Sequence, residues 1–315
     1  NKTEIYTHVM RKKVLLSAVF LLFAAAVSMP VAAQNIIPQP ENISLLKGQF
    51  KLNKGTKIVT NLTGSDFKVL KHPLAYAKNP SQQGVFRLIC KGTAQQAAQA
   101  MDSVRLQGYE LEVTPKGITI QALTPTGLFY GLQTLRQLEK DGQIACVKVK
   151  DAPRFAYRGL MIDCSRHFWT KDFLKKQIDA MAYFKLDRFH WHLTDGGGWR
   201  MEVKKYPRLT DEASYRTQSD WTKWWMDNDR KYCHKNTPGA YGGYYTQEDI
   251  KDIVRYAAAR HIEVIPEIEM PGHSDEVVYA YPELSCTGKP YTQSDLCVGK
   301  EATYTFMENV LKEVM

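Results

Sequence analysis

The sequence predicts an α/β chain in which a small α+β unit precedes a run of parallel β/α repeats. Three observations carry this. Residues 34–150 alternate short strand-like pieces with turns, residues beyond Asp151-Ala152-Pro153 alternate strand and helix periodicities, and the polar residues of that second region fall at the ends of its strands.

The opening residues stand apart from this scheme. Met10 is followed by Arg11-Lys12-Lys13, an apolar run from Val14 to Val27 and then Val31-Ala32-Ala33, the charged, apolar and small-residue order of an export leader. The run is shorter than the ~20 residues of a membrane span, and a polar, Pro-containing stretch follows it. The expectation is therefore export to a periplasm or out of the cell, with no stable membrane insertion after cleavage. Residues 1–33 are read as an upstream extension, with a start at Met10, plus the leader. Lys and Arg exceed Asp and Glu by 9, but four of the bases and only one acid lie in those 33 residues. The remaining bases are scattered among acids, so nucleic acid is not an expected partner. At 44% hydrophobic residues the composition is that of an ordinary globular chain.

From Gln34 to Lys150 the elements are short. Tyr109 to Val113 alternates, Pro115-Lys116-Gly117 breaks the pattern and Ile118 to Ile120 resumes it, which predicts a hairpin. Thr126 to Leu138 carries Leu128, Leu132 and Leu135 on one helical face. No cluster of His, Cys or acids occurs here, so a supporting role is expected. Six cysteines are too few for a disulfide framework in a chain of 315 residues. Cys286 and Cys297 flank a short loop that an oxidising compartment would allow to be bridged; bridged and free forms both stand open.

After Pro153, Arg158 to Asp163 reads as a buried strand, and Thr170 can cap a helix with Leu174, Ile178 and Met181 inward. Arg188 to Leu193 is a second strand. Thr246 with Asp249 makes a capping-box-like start to a helix, and Ile262 to Pro266 is a third strand. Repeats of this kind imply parallel strands and right-handed crossovers. The strand ends then converge: Asp163 and Arg166-His167 on the first, His192 and Asp195 on the second, Glu267, Glu269 and His273 on the third. In a (β/α)8 barrel that side holds the chemistry. Only 162 residues follow Pro153, where a whole barrel takes about 250, and the helical pattern of Phe306, Val310 and Val314 runs on without a stop signal. The expected fold is an α+β domain over 34–150 followed by an incomplete (β/α)8 TIM barrel over 151–315, about its first three strands, in a piece of a longer protein.

Each polar residue has a structural and a chemical reading. Arg158, at the start of a buried strand, needs an acceptor, either a structural ion pair or a polar ligand. His190 and His192 share one face of their strand with Trp191 on the other. His192 gains interest from Asp195 and from Gly196-Gly197-Gly198, which let a backbone come close to a ligand. A metal hydrolase built on His190, His192 and Asp195 is one alternative, although no zinc-type spacing is present. Pro266-Glu-Ile-Glu-Met-Pro-Gly-His273 sets two carboxylates and a histidine at a strand end. Trp221, Trp224 and Trp225 could stack on sugar faces or pin their own loop.

Taken together, Arg158 to His167, Met181 to Asp195, Tyr245 to Asp249 and Pro266 to His273 resemble glycoside hydrolase family 20, the β-N-acetylhexosaminidases, and the likeness runs from about residue 36 to the end. The resemblance implies removal of terminal β-linked N-acetylglucosamine or N-acetylgalactosamine with retention, the substrate's own 2-acetamido oxygen acting as nucleophile, and no cofactor. It assigns Arg158 to the sugar hydroxyls and His192 to the same pocket. It makes Asp195 and His273 the partners that orient a catalytic Asp. That Asp and its neighbouring general-acid Glu are expected a short way beyond Met315, so the 315 residues alone are expected to be inactive. Gly196 stands where many relatives carry a second Asp and receives no role. A non-catalytic carbohydrate-binding protein of the same fold is the competing class.

Overall fold

The computed structural model describes residues 35–64, 66, 70, 77–80, 85–226 and 230–315. The expected leader lies outside these residues. Among the described residues no helix is long and apolar enough to cross a membrane.

Alternation at a period of two builds the first layer. Its strands are β1 (Asn42–Lys51), β2 (Lys57–Thr60), β3 (Ala77–Pro80), β4 (Phe86–Cys90), β5 (Tyr109–Thr114), β6 (Gly117–Ala122), β7 (Glu139–Lys140) and β8 (Gln143–Asp151). They form one mixed sheet in the order β1-β8-β5-β6-β4-β2-β3, with β7 beside β8. The predicted hairpin is β5 and β6, paired antiparallel from Tyr109–Ala122 to Thr114–Gly117. Among the described residues two α-helices belong to this unit, the short α1 (Ala94–Ala98) and α2 (Pro125–Leu138). Thr124 caps α2 by accepting the Gly127 N–H at 3.2 Å, and Leu128, Leu132 and Leu135 are fully buried with Leu111, Val113, Ile118 and Ile120 of the sheet in one core.

The second layer is parallel. β9 (Gly159–Asp163), α3 (Lys171–Tyr183), β10 (Arg188–His192), α6 (Gln247–Ala258) and β13 (Glu263–Glu267) follow the expected order, the strands lying β9-β10-β13. Thr170 caps α3, whose Leu174, Ile178 and Met181 are buried, and Thr246 with Asp249 closes a full capping box on α6. Between β10 and α6 runs an insertion with α4 (Arg208–Asp211), β11 (Tyr215–Arg216), α5 (Trp221–Met226) and β12 (Tyr241–Gly242); α7 (Asp275–Ala280) and α8 (Glu301–Val314) follow β13. Among the described residues the sheet is not closed into a barrel: β9 and β13 each pair on one side only.

The register positions the polar ends. Arg188 faces Gly159 on one side and Glu263 on the other, and four residues later His192 faces Asp163 and Glu267. Three strand ends therefore finish level. At the opposite end of β9 stands Arg158, and here the structure corrects the sequence expectation. Its guanidinium donates to Lys185 O, Phe155 O and Gln107 Oε1, each at 2.7 Å, and to Tyr130 OH at 2.8 Å. It also pairs with the fully buried Asp187 carboxylate at 3.0 Å. About five residues of strand, ~16 Å at ~3.3 Å each, separate it from the Asp163 end. Arg158 joins the two layers and cannot reach a sugar held at the strand ends.

One buried group opposes this packing. Glu276 of α7 is fully buried, and neither carboxylate oxygen has a hydrogen-bond partner among the described residues. Burial pushes its pKa well above the ordinary value of 4.5. A carboxyl whose pKa is raised by folding costs stability as pH rises above the unfolded value. Glu276→Met is therefore expected to stabilise the protein by about 1–2 kcal/mol at neutral pH. That gain should shrink as the pH is lowered toward the ordinary carboxyl value, which urea titrations of both proteins at two pH values will show.

Candidate active site

The level ends of three strands gather side chains around one carboxylate. Asp195, in the turn after β10, is almost wholly buried, and its Oδ2 accepts from Arg166 Nη2 at 2.6 Å and lies 3.1 Å from His273 Nδ1. The same oxygen is 3.5 Å from His192 Nε2, which donates more closely to Thr194 O at 3.0 Å. Arg166 is held in turn by Asp163. Its Nη1 donates to Asp163 Oδ2 at 2.7 Å, while Asp163 Oδ1 receives the Ser165 and Arg166 N–H groups. One guanidinium thus bridges the ends of β9 and β10, a role its planar fork suits.

Burial alone would raise the Asp195 pKa, but the His192 hydrogen bond and then the charges of Arg166 and His273 hold it below its ordinary value. Burial alone would lower His192, yet Asp195, Asp163 and Glu267 together keep it above its ordinary value. The signs fix the pH dependence. The Asp195 contribution is complete above its ordinary pKa and is lost on acidification below it. The His192 contribution is complete below about pH 6.5 and is lost as pH rises through the raised value. The melting-temperature difference between the natural protein and a His192→Gln variant is accordingly expected to be larger near pH 6 than near pH 8.

The third strand brings Glu267 and Glu269. Glu267 Oε2 lies 2.5 Å from His190 Nε2 and 3.7 Å from His192 Nδ1, so His190 and His192 share a face as their parity requires. Trp191 points away, its indole donating to Cys164 Sγ and packing against Tyr245. The Glu269 backbone N–H donates to Thr194 Oγ1 at 2.8 Å, and its carboxylate stands 3.7 Å from His273 Nδ1. Ligand-type atoms of His192, Glu267 and Glu269, and of Asp195, Glu269 and His273, come within 4.8 Å of one another. The second triplet already has the Arg166 guanidinium on its central carboxylate, a poor neighbour for a cation. The His190, His192 and Asp195 set of the sequence reading is not among these groups: His190 is paired with Glu267.

Two arginines that sequence reasoning missed set the backbone of this region. Arg200, fully buried, donates from Nη2 to Ser165 O at 2.6 Å and Gly197 O at 3.0 Å, and from Nε to Cys164 O at 3.0 Å. Arg216 donates to Gly197 O at 3.1 Å and to the carbonyl of Arg166 at 2.9 Å. Both bind main-chain carbonyls contributed by distant loops, which no spacing rule reveals. Gly197 must lack a side chain, since a Cβ there would come 2.7 Å from Arg166 Cα.

The tryptophans divide their roles. Trp224 is buried with its indole donating to Lys231 O, so it pins the insertion. Trp221 stacks with Trp225, and its ring centre is 5.9 Å from the Arg166 guanidinium carbon, at the margin of the site. His167 turns instead toward Trp169 and Tyr241. Cys286 and Cys297 are joined in a disulfide, which settles the pairing that the sequence left open.

Comparison with known proteins gives the same picture. The model described as glycosyl hydrolase family 20, catalytic domain, matches residues 155–315, and that for domain 2 of the family matches 33–152. A β-hexosaminidase of Porphyromonas gingivalis is 41% identical over 66% of this chain and 27% of its own length. One of Vibrio furnissii is 33% identical over 90% of this chain and 46% of its own. The chain thus spans less than half the length of these two curated relatives. The crystal structure of a family 20 exo-β-N-acetylglucosaminidase from Vibrio harveyi, in complex with N-acetylglucosamine, superposes with a TM-score of 0.73 at 28% identity, over 90% of this chain and 45% of that one. Two successive family domains, matched in order along a chain whose strand ends carry this polar cluster, show that the chain belongs to glycosyl hydrolase family 20.

Proposed function

We propose that this chain is part of a β-N-acetylhexosaminidase that releases terminal, non-reducing β-linked N-acetylglucosamine or N-acetylgalactosamine with retention. The observation that carries the reading is the Arg166–Asp195–His273 cluster at the level ends of β9, β10 and β13. It sets a guanidinium that can face a sugar next to a carboxylate–imidazole pair that can orient a further acidic side chain, beside the stacked Trp221–Trp225 pair. The N-acetylglucosamine bound by the Vibrio harveyi relative supports that ligand class. In the substrate-assisted reaction the 2-acetamido oxygen attacks the anomeric carbon, and a general acid protonates the leaving oxygen.

Neither Asp195 nor Glu267 suits the acid's role. Asp195 is held below its ordinary pKa by the His192 hydrogen bond and the charges of Arg166 and His273, and Glu267 Oε2 already stands 2.5 Å from His190 Nε2. On this reading the Asp-Glu pair expected downstream supplies the acid and its partner, and Asp195 with His273 orients that Asp. Arg166 replaces Arg158 as the residue that grips the sugar hydroxyls. Export through the leader brings the enzyme to glycans in the periplasm or outside the cell. The test is an assay of the full-length gene product beside these 315 residues on a chromogenic β-N-acetylglucosaminide. Turnover by the longer protein alone is the expected result. Absence of turnover by the full-length protein would leave the carbohydrate-binding class instead.

A further inference from the structure

On the strands that lead to Asp195, the side chains of His190, His192 and Glu267 form a group to which the proposed reaction gives no task. We propose that Glu267 holds His192 as an imidazolium and through it acts as a positioning residue for Asp195 and the groups gathered on that carboxylate. For its effect on turnover this inference rests on the hexosaminidase reading, which it deepens, whereas the state of the ring is independent of that reading.

The protons of His192 can be placed from its neighbours. Nε2 lies 3.0 Å from Thr194 O, and a carbonyl oxygen only accepts, so Nε2 carries a proton. That acceptor is fixed in place, because the Glu269 N–H donates to Thr194 Oγ1 at 2.8 Å and the Leu193 N–H donates to Glu267 O at 3.1 Å. Nδ1 is buried with no hydrogen-bond partner among the described residues, and Glu267 Oε2 stands 3.7 Å from it. A bare Nδ1 would turn its lone pair toward that carboxylate. A protonated Nδ1 instead brings opposite charges together at a buried position, where salt screens them little.

Charge balance points the same way. Asp163 from β9, Glu267 and Glu269 from the end of β13 and Asp195 from the turn after β10 all face His192, with His190 two residues earlier on its own strand. Arg166 answers Asp163 at 2.7 Å and Asp195 at 2.6 Å, and Glu269 has His273 at 3.7 Å. Among the described residues the ion-pair partners of Glu267 are His190 Nε2, at 2.5 Å, and His192. Glu267 is thus the carboxylate whose charge the strand imidazoles must offset.

The consequence reaches the site through one further step. The His192 imidazolium sets a positive charge 3.5 Å from Asp195 Oδ2, the same oxygen that holds Arg166 and His273. Asp195 is then steadied as a carboxylate from the strand side as well as from the ligand side. Glu267 touches no substrate in this scheme, and its influence on turnover passes entirely through His192.

The experiment uses the full-length gene product with Glu267→Gln, His192→Gln and the double variant. NMR of protein labelled at the histidine ring nitrogens, at about pH 7, reads the ring directly, and the signal missing from His192→Gln identifies it. Both ring nitrogens of His192 should be protonated in the natural protein, and Nδ1 should lose its proton in Glu267→Gln. A bare Nδ1 in the natural protein, the state that a metal ligand or an idle ring requires, overturns the inference even where Glu267→Gln does not fold. On a β-N-acetylglucosaminide, Glu267→Gln should move the alkaline limb of kcat/KM by about one unit to lower pH, a loss of about tenfold along that limb, with the acid side changed less than about twofold. Adding Glu267→Gln to His192→Gln should give no further shift. A uniform loss at every pH, or an equal shift with His192 already replaced, overturns the positioning role. If the full-length protein turns over no substrate while the ring states are as expected, the hydrolase reading fails and the Glu267–His192 pair stands.

Discussion

An Asp195→Asn variant of the full-length protein is expected to lose about a hundredfold in kcat/KM on a β-N-acetylglucosaminide. The side chain keeps its shape, so the loss isolates the charge. Asp195 Oδ2 is the common partner of Arg166 at 2.6 Å and His273 at 3.1 Å, with His192 at 3.5 Å. An amide oxygen can still accept from these donors but carries no charge to set against the guanidinium. Arg166 would then be held by Asp163 alone and would swing from the position that bridges two strands. Glu212→Gln, which breaks the exposed Arg208–Glu212 pair, is the matched control and should leave kcat/KM within about twofold, as surface pairs contribute little. A loss in Asp195→Asn no larger than the control's would sink the assignment of Asp195 as the centre of the site.

Arg158→Ala is expected to produce the largest loss of stability, about 3–5 kcal/mol by urea unfolding. Removing this side chain strands the Asp187 carboxylate, which has no exposed surface and whose other cation, Arg188, is 3.5 Å away. It also leaves the Gln107 amide oxygen and Tyr130 hydroxyl without their shared donor. Material that remains folded should show a KM within about twofold of the natural value. The split matters, because an arginine that gripped substrate would raise KM with little effect on unfolding. Arg158→Lys should recover part of the loss, since an ammonium restores the charge but not the fork.

Much of this architecture can be read from the chain before any coordinates. The parallel layer is legible because its strand and helix periods alternate cleanly, with Thr170 and Thr246 capping the helices that they precede. The level finish of Asp163, His192 and Glu267 follows from parallel pairing. Sequence already set Arg158 at the start of β9 and Arg166 beyond its end; what it could not supply was the partners of Arg158, whose guanidinium is taken up by Asp187, Gln107, Tyr130 and the Lys185 carbonyl at the end away from Asp195. Arg200 and Arg216 were illegible for another reason. Their partners are carbonyl oxygens, which every residue carries, so no residue type elsewhere in the chain marks where these cations will settle. The large sheet of the first unit was seen only in pieces. Its neighbours β6, β4 and β2 pair in parallel across intervening segments, and no turn chemistry announces such contacts.

The seam between the two layers limits how these proteins can be recombined. Asp151-Ala152-Pro153 looks in sequence like the natural place to cut and exchange one module for that of a relative. Yet Gln107, Tyr109, Tyr130 and Asp151 lie before that cut, while Arg158 and Lys185, whose side chains they receive, lie after it. Lys185 donates to Tyr109 at 3.0 Å, and that tyrosine donates to Asp151 at 2.9 Å, a relay that crosses the junction a second time. A chimaera spliced there inherits plugs without their sockets unless all six residues travel together. The first unit is in this sense a matched base plate, and any library built by domain exchange must treat it and the start of the parallel layer as one inherited part.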